Sequence, residues 1–229
     1  MSTPFRVLFE DQHLIVLSKE PGILAQGDAS GEPSLVDHLR THFGRHYVGL
    51  IHRLDRNTSG LMVVAKRSKS ADRLSEQLRT GQLVRQYHAI LWGTFPESGE
   101  LTWEHHLKKN EATNEVRVVR EGTPGAKIAT LKVLPLKTIV HPVSGDPLTW
   151  ARFQLETGRS HQIRVQAATA GHPLIGDTKY GTVKSAPLFS RPALHSSWLE
   201  FLHPISKEKM QFEERQGSDM LRFFSTDLE

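Results

Sequence analysis

The chain has 229 residues, 38% hydrophobic and 24% charged, enough apolar material for the core of one large domain or two small ones. No apolar run is long enough to cross a bilayer, no basic-then-apolar leader opens the sequence, and the absence of cysteine excludes disulfides and thiolate metal sites. The 29 Lys and Arg against 25 Asp and Glu leave a formal charge of +4, compatible with a polyanionic partner without demanding one.

In chain order, the segment 6–20 reads as two short strands around a turn at Glu10-Asp11-Gln12. Pro21-Gly22 opens a loop that continues through Gly27 to Pro33. Ser34 is placed to cap a helix carrying Leu35, Val36 and Leu39, which Gly44 ends. Leu61 to Ala65 is an unbroken apolar run, the signature of a buried strand, so the polar residues 52–60 before it form a loop that enters the strand. Ser68 to Arg79 reads as a helix with Ala71, Leu74 and Leu78 on one face. Strands follow at Val84 to Leu91, then near 100–107, 115–120 and 126–140, and a turn-rich connection at 141–147 leads to a strand from Trp150 to Leu155. A helix starts in Thr157-Gly158-Arg159-Ser160, with Ser160 as its expected cap, and runs to Ala170 before Gly171 and Pro173. Short strands near 194–201 and 209–213 complete the series. Strands outnumber helices and mostly follow one another directly, which predicts an α+β fold with a largely antiparallel or mixed sheet in one domain over 1–229.

Two polar clusters can carry chemistry. The first is the loop holding His52, Arg53, Asp55, Arg56, Asn57, Thr58 and Ser59. A carboxylate flanked by two arginines stays ionised at neutral pH, which suits a nucleophile, a base or an electrostatic partner. The same pattern also fits an Asp that braces its own loop. The second cluster runs from Thr157 to Arg164 at a helix N-terminus, where free N–H groups and the dipole favour anions. The basic stretch Lys66, Arg67, Lys69, Arg73, Arg79 and Arg85 fits either phosphate contacts or an ion-paired helix face, and Lys108-Lys109 adds a second basic pair. His38, His42 and His46 have metal-ligand spacing, but Gly44 interrupts the helix that would align them and no carboxylate completes the set, so no metal site is expected. A Ser59–His161–Asp55 triad lacks a nucleophile elbow, and Gly27 to Gly31 lacks the Lys-Ser/Thr of a phosphate loop.

Four ordered motifs give the chain a specific likeness. They are His52-Arg53-Leu54-Asp55 with Thr58-Ser59-Gly60; Val84 to Ala89; and Thr157-Gly158-Arg159 with His161 to Val165, Gly171-His172-Pro173, Gly176-Asp177 and Tyr180-Gly181. The fourth is Leu194-His195 with Phe201, His203 and Pro204. Together they resemble the RluA-type family of RNA pseudouridine synthases over nearly the full length. One departure lies in the opening turn, where the family's Lys-Pro is here Lys19-Glu20-Pro21.

The resemblance implies the pseudouridine synthase catalytic fold: a mixed, mostly antiparallel sheet with flanking helices and a central RNA-binding cleft, without the S4-type domain that some members carry. It implies an isomerase that detaches uracil from ribose, turns it and rejoins it through carbon, with no cofactor or metal. Asp55 corresponds to the catalytic carboxylate, Arg164 to the arginine that pairs with it and Tyr87 to the tyrosine that stacks on uracil. Arg53 resembles the residue that fills the space of a flipped base; His52, Thr58, Ile163 and Leu194 complete the expected base and RNA contacts. The implied partner is ribosomal or transfer RNA, with a compact stem–loop favoured, and the implied state is a cytoplasmic monomer with no membrane or obligate protein partner. The rival from another class is a non-catalytic RNA-binding or RNA-folding helper on the same fold; the presence of Asp55, Tyr87 and Arg164 together argues against it.

Overall fold

The structure, a computed structural model, describes residues 3–44, 46–95, 99–141, 143–215, 218–221 and 223. In chain order the elements are β1 (Phe5–Glu10), β2 (Leu14–Lys19), α1 (Leu35–Phe43), β3 (Gly49–Leu50), β4 (Ser59–Ala65), α2 (Ser68–Arg79), β5 (Val84–Trp92), β6 (Leu101–Asn110), β7 (Glu115–Val119), β8 (Lys127–Val140), β9 (Pro147–Leu155), α3 (Gln162–Thr169), β10 (Leu194–Leu202), β11 (Lys209–Glu213) and α4 (Ser218–Leu221). A 3-10 turn at Ala186–Leu188 lies between α3 and β10. The chain forms a mixed, mostly antiparallel β-sheet fold with flanking helices. It divides into two compact units, Met1–Arg85 with Ser196–Arg215, and Gln86–His195 with Gln216–Glu229.

In the first unit, β2 pairs antiparallel with both β1 and β4. Every residue of β2 and β4 is buried, so both faces need apolar side chains, and that is why Leu14 to Leu17 and Leu61 to Ala65 read as unbroken apolar runs rather than alternating ones. Helix α2 covers one face, seating Leu74 against Leu14, Val16, Leu61, Val63 and Phe201. Gln77 ties the helix to the sheet: its amide donates to Leu202 O at 2.8 Å and accepts Leu202 N–H at 2.7 Å. Helix α1 begins at Ser34, whose N–H is accepted by Asp37 at 2.9 Å, and stops at Gly44, which takes φ 62°. That stop leaves His46 off the helix, while His42 pairs with Glu10 at 2.7 Å.

In the second unit the strands run β5-β9-β8-β6-β7, with each neighbouring pair antiparallel. A register shift between Pro135 and Lys137 lets β8 carry a proline, which has no N–H to give the ladder. The turn expected over 141–147 joins β8 to β9; Pro142 within it lies outside the described residues. One core gathers Ile90, Leu148, Ile175, Phe189 and Met220, and a smaller one joins Leu107, Val116 and Ala129 to Val165 of α3.

Helix α3 starts one residue later than its sequence predicts. The cap position is His161, held at φ 53° with no side-chain cap bond, not Ser160. The capping work falls instead to the first helical side chain. The Gln162 carbonyl accepts the Arg159 N–H and the Thr157 hydroxyl, both at 2.9 Å, while its amide donates to Thr130 O at 3.1 Å. This network holds residues 157–161 as a turn against β8, so the helix cannot begin sooner.

Candidate active site

The loop between β3 and β4 is sorted by hydrophobicity. Ile51 and Leu54 are buried anchors, Arg53 and Arg56 are exposed, and Asp55 is left half-buried beside Leu54. The turn closes through the Thr58 N–H on Asp55 O at 3.0 Å. It is also pinned from outside. Arg56 O accepts the Gly22 N–H at 2.9 Å and the Lys19 ammonium at 3.0 Å. Lys19 is fully buried, and its ammonium also donates to Glu20 O at 2.8 Å and Ile23 O at 3.0 Å. The peptide carrying Asp55 is therefore tied to the opening turn of the chain by a buried cation.

Sequence proximity misplaces Arg56. Its guanidinium goes to the Glu32 carboxylate, at 3.1 and 2.5 Å, and to Gly22 O at 3.0 Å, not to the neighbouring Asp55. Glu32 was given no role by the sequence; its reach across 24 residues has no local signature. His52 points inward. Its Nε2 accepts the Val63 N–H at 3.3 Å, and burial, followed by the Arg85 charge, pushes its pKa down to about 3. The expected base contact at His52 is thus a neutral ring bonded to the β4 backbone. Thr58 is buried as well, and of the expected RNA contacts on this loop Arg53 alone is fully exposed.

The basic stretch after β4 divides between ion pairs, backbone contacts and burial. Lys66 pairs with Glu10 at 2.5 Å, Arg79 with Glu76 at 2.6 Å, Arg73 donates to Pro204 O at 2.7 Å, and Arg85 is buried.

In the second unit, Tyr87 is a buried residue of β5 opposite Phe153, and Ile163 and Leu194 are also buried. Arg164 projects from α3 into a two-pronged ion pair with Asp177. Asp177 is itself fixed by the N–H groups of Lys179 and Tyr180, at 3.0 and 3.1 Å. The Tyr180 ring lies 5.2 Å from the Arg164 guanidinium, and its hydroxyl accepts the Val116 N–H at 2.8 Å and meets His161 Nδ1 at 2.7 Å. Asp177 thus holds Arg164 directly and the Tyr180 ring lies against it, with His161 bonded to Tyr180. The sequence places Asp177 and Tyr180 in a motif without giving either a partner.

Among the described residues, no group of three or more His, Asp and Glu side chains is arranged to hold a metal ion, and no helix is long and apolar enough to cross a membrane.

The family model for RNA pseudouridylate synthase matches residues 13–169, a stretch that holds the Asp55 loop, β5 and α3. The chain belongs to the RluA-type RNA pseudouridine synthases. It is an isomerase that makes pseudouridine in RNA. Across 225 residues it is 35% identical to the uncharacterized RNA pseudouridine synthase YjbO of Bacillus subtilis, covering 95% of this chain and 74% of that one. It is 31% identical over 239 residues to ribosomal large subunit pseudouridine synthase D of Zymomonas mobilis, covering 96% and 72%. The fold is that of human RNA pseudouridylate synthase domain containing 1, with a TM-score of 0.75 at 24% identity over 94% of this chain and 85% of that one.

Proposed function

We propose that this pseudouridine synthase isomerises specific uridines in structured ribosomal or transfer RNA, with Asp55 as its catalytic carboxylate. Relatives named as ribosomal large subunit synthases support a ribosomal target first. The observation that carries the assignment of Asp55 is its setting. It is a half-buried acid on a loop that Lys19, Leu54 and the Gly22 N–H hold rigid. A reacting group must be held to a fraction of an ångström, and this loop is built for that.

The reaction breaks the bond from ribose C1′ to uracil N1 and makes one from C1′ to C5. The C5 proton leaves and N1 ends protonated, so no electrons are gained or lost. An ionised carboxylate near the sugar and base serves each way of starting this sequence. Tyr87 supplies a flat ring for the uracil and a hydroxyl near the late proton step, with Ile163 and Leu194 as apolar walls. Arg164, immobilised by Asp177, is the residue that the family resemblance assigns as partner of the catalytic carboxylate. A uridine inside a stem must first leave its stack, at a cost of about a few kcal/mol. Arg53, exposed beside Leu54, is the side chain assigned to the vacated space.

The target is found by mapping pseudouridine across total RNA, with and without the gene. Sites that vanish with the gene and return with purified protein name the substrate. A purified chain that modifies no ribosomal or transfer RNA contradicts the proposal.

A further inference from the structure

Among the described residues, the buried polar atoms of the first unit that have no partner include Nδ1 of His52 and Nε of Arg85. His52 is 6% exposed and Arg85 4%. Their protons can be assigned. Nε2 of His52 accepts the Val63 N–H and so carries no proton. The ring is neutral, so its one N–H proton sits on Nδ1. Nε of Arg85 carries a proton in every state. Both orphan atoms are therefore donors. Arg85 adds a full positive charge, and among the described residues no carboxylate pairs with it. An uncompensated buried cation is expensive, and unsatisfied buried donors add to that cost. What the pair lacks is an anionic oxygen.

We propose that His52 and Arg85 form an anion subsite that receives a phosphate oxygen of the RNA backbone beside the reacting uridine. This rests on the reading of the Asp55 loop as the catalytic loop. His52 lies three residues before Asp55 on that loop, and Arg85 lies two residues before Tyr87 on β5. A uracil carbonyl or a buried water would accept from the donors but leave the charge of Arg85 unmatched. A phosphate does both. The subsite would anchor the nucleotide by its backbone while the uracil turns, which the reaction requires because the base detaches from its sugar.

The test uses the wild-type chain with three probes: uridine, uridine 3′-monophosphate and uridine 5′-monophosphate. Long-range proton–nitrogen NMR reads the His52 Nδ1 resonance, and calorimetry reads affinity. At least one monophosphate should shift that resonance and bind tenfold or more tightly than uridine. Arg85→Met should abolish the difference while its melting temperature without ligand stays level or rises, because no native partner is lost. Arg85→Lys, which keeps the charge without the Nε–H, should bind the monophosphate several-fold more weakly than wild type. Equal binding of all three probes, or an unmoved His52 signal, means the donors hold only a buried water and overturns the subsite. So does a steep fall in the melting temperature of Arg85→Met, which would make Arg85 a structural brace, or unchanged affinity in Arg85→Lys. If wild type forms pseudouridine yet shows no phosphate preference, only the subsite fails. If it forms none, the catalytic reading fails, and a phosphate preference would then belong to some other anion site.

Discussion

Asp177 grips Arg164 from two sides, Nε donating to Oδ2 at 2.7 Å and Nη2 donating to Oδ1 at 2.8 Å, with both side chains withdrawn from solvent. Burial by itself would raise the Asp177 pKa. The hydrogen bonds and charge of Arg164, with the N–H groups of Tyr180 and Lys179, outweigh burial and leave the carboxyl below its ordinary value. Removing one partner of such a pair leaves the other charge buried and costs on the order of 3–5 kcal/mol. Asp177→Ala should therefore lower the melting temperature sharply. Asp177→Asn, which keeps one acceptor, should lose turnover while RNA affinity changes less. Equal losses of turnover and affinity in Asp177→Asn would point to general unfolding rather than a misplaced arginine.

Gly60 illustrates why the Thr58-Ser59-Gly60 motif ends as it does. Its φ is +107°, and a Cβ there would sit 2.2 Å from the Ser196 carbonyl oxygen. Backbone cannot yield as a side-chain tip can. Gly60→Ala should destabilise the protein by roughly 3 kcal/mol or more, read by denaturant unfolding. A loss under about 1 kcal/mol would mean that β4 and β10 move apart easily.

The buried Lys19 ammonium serves three carbonyls, those of Glu20, Ile23 and Arg56. Lys19→Met keeps much of the volume but removes every donor. The Asp55 loop should loosen, so turnover should fall by tenfold or more and amide exchange at Arg56 and Asn57 should quicken. Unaltered exchange at these amides would show that Leu54 and the Gly22 contact hold the loop unaided.

Acid should weaken the fold before most carboxylates titrate. Burial and then the Arg85 charge hold His52 at about 3, and burial and then the Arg152 charge hold His88 at about 4, against 6.5 for a free imidazole. Both folded values are depressed, so the unfolded chain takes up these protons first. The stability they contribute is complete above about pH 6.5 and drains away as pH falls through that value, at ~1.4 kcal/mol per pH unit for each proton. The urea midpoint should drop between about pH 7 and pH 5, and His52→Gln, which can still accept the Val63 N–H, should reduce the slope. A flat profile in that window contradicts the buried neutral imidazoles.

Much of this could be read in the sequence because the signals were local. The apolar run at Leu61–Ala65, the Ser34 and Gly44 caps and the series of strands from β5 to β9 each follow from neighbours a few residues apart. The start of α3 was missed because Gln162, not Ser160, does the capping, bonded to Thr130 32 residues away. The partner of Arg56 is likewise out of local reach, a Glu32 that lies 24 residues away. The inward turn of His52 depends on Val63 and Arg85, which no spacing rule connects to it.

The role of Asp55 is tested by comparing wild type with Asp55→Asn on the RNA identified by mapping. Pseudouridine formation and RNA affinity are read on the same preparations. With Asp55 as the catalytic carboxylate, turnover should disappear while affinity stays within a small factor, because an amide in place of the carboxylate removes chemistry and leaves the RNA contacts. Residual turnover within about tenfold of wild type, or an affinity loss as large as the activity loss, would contradict that role.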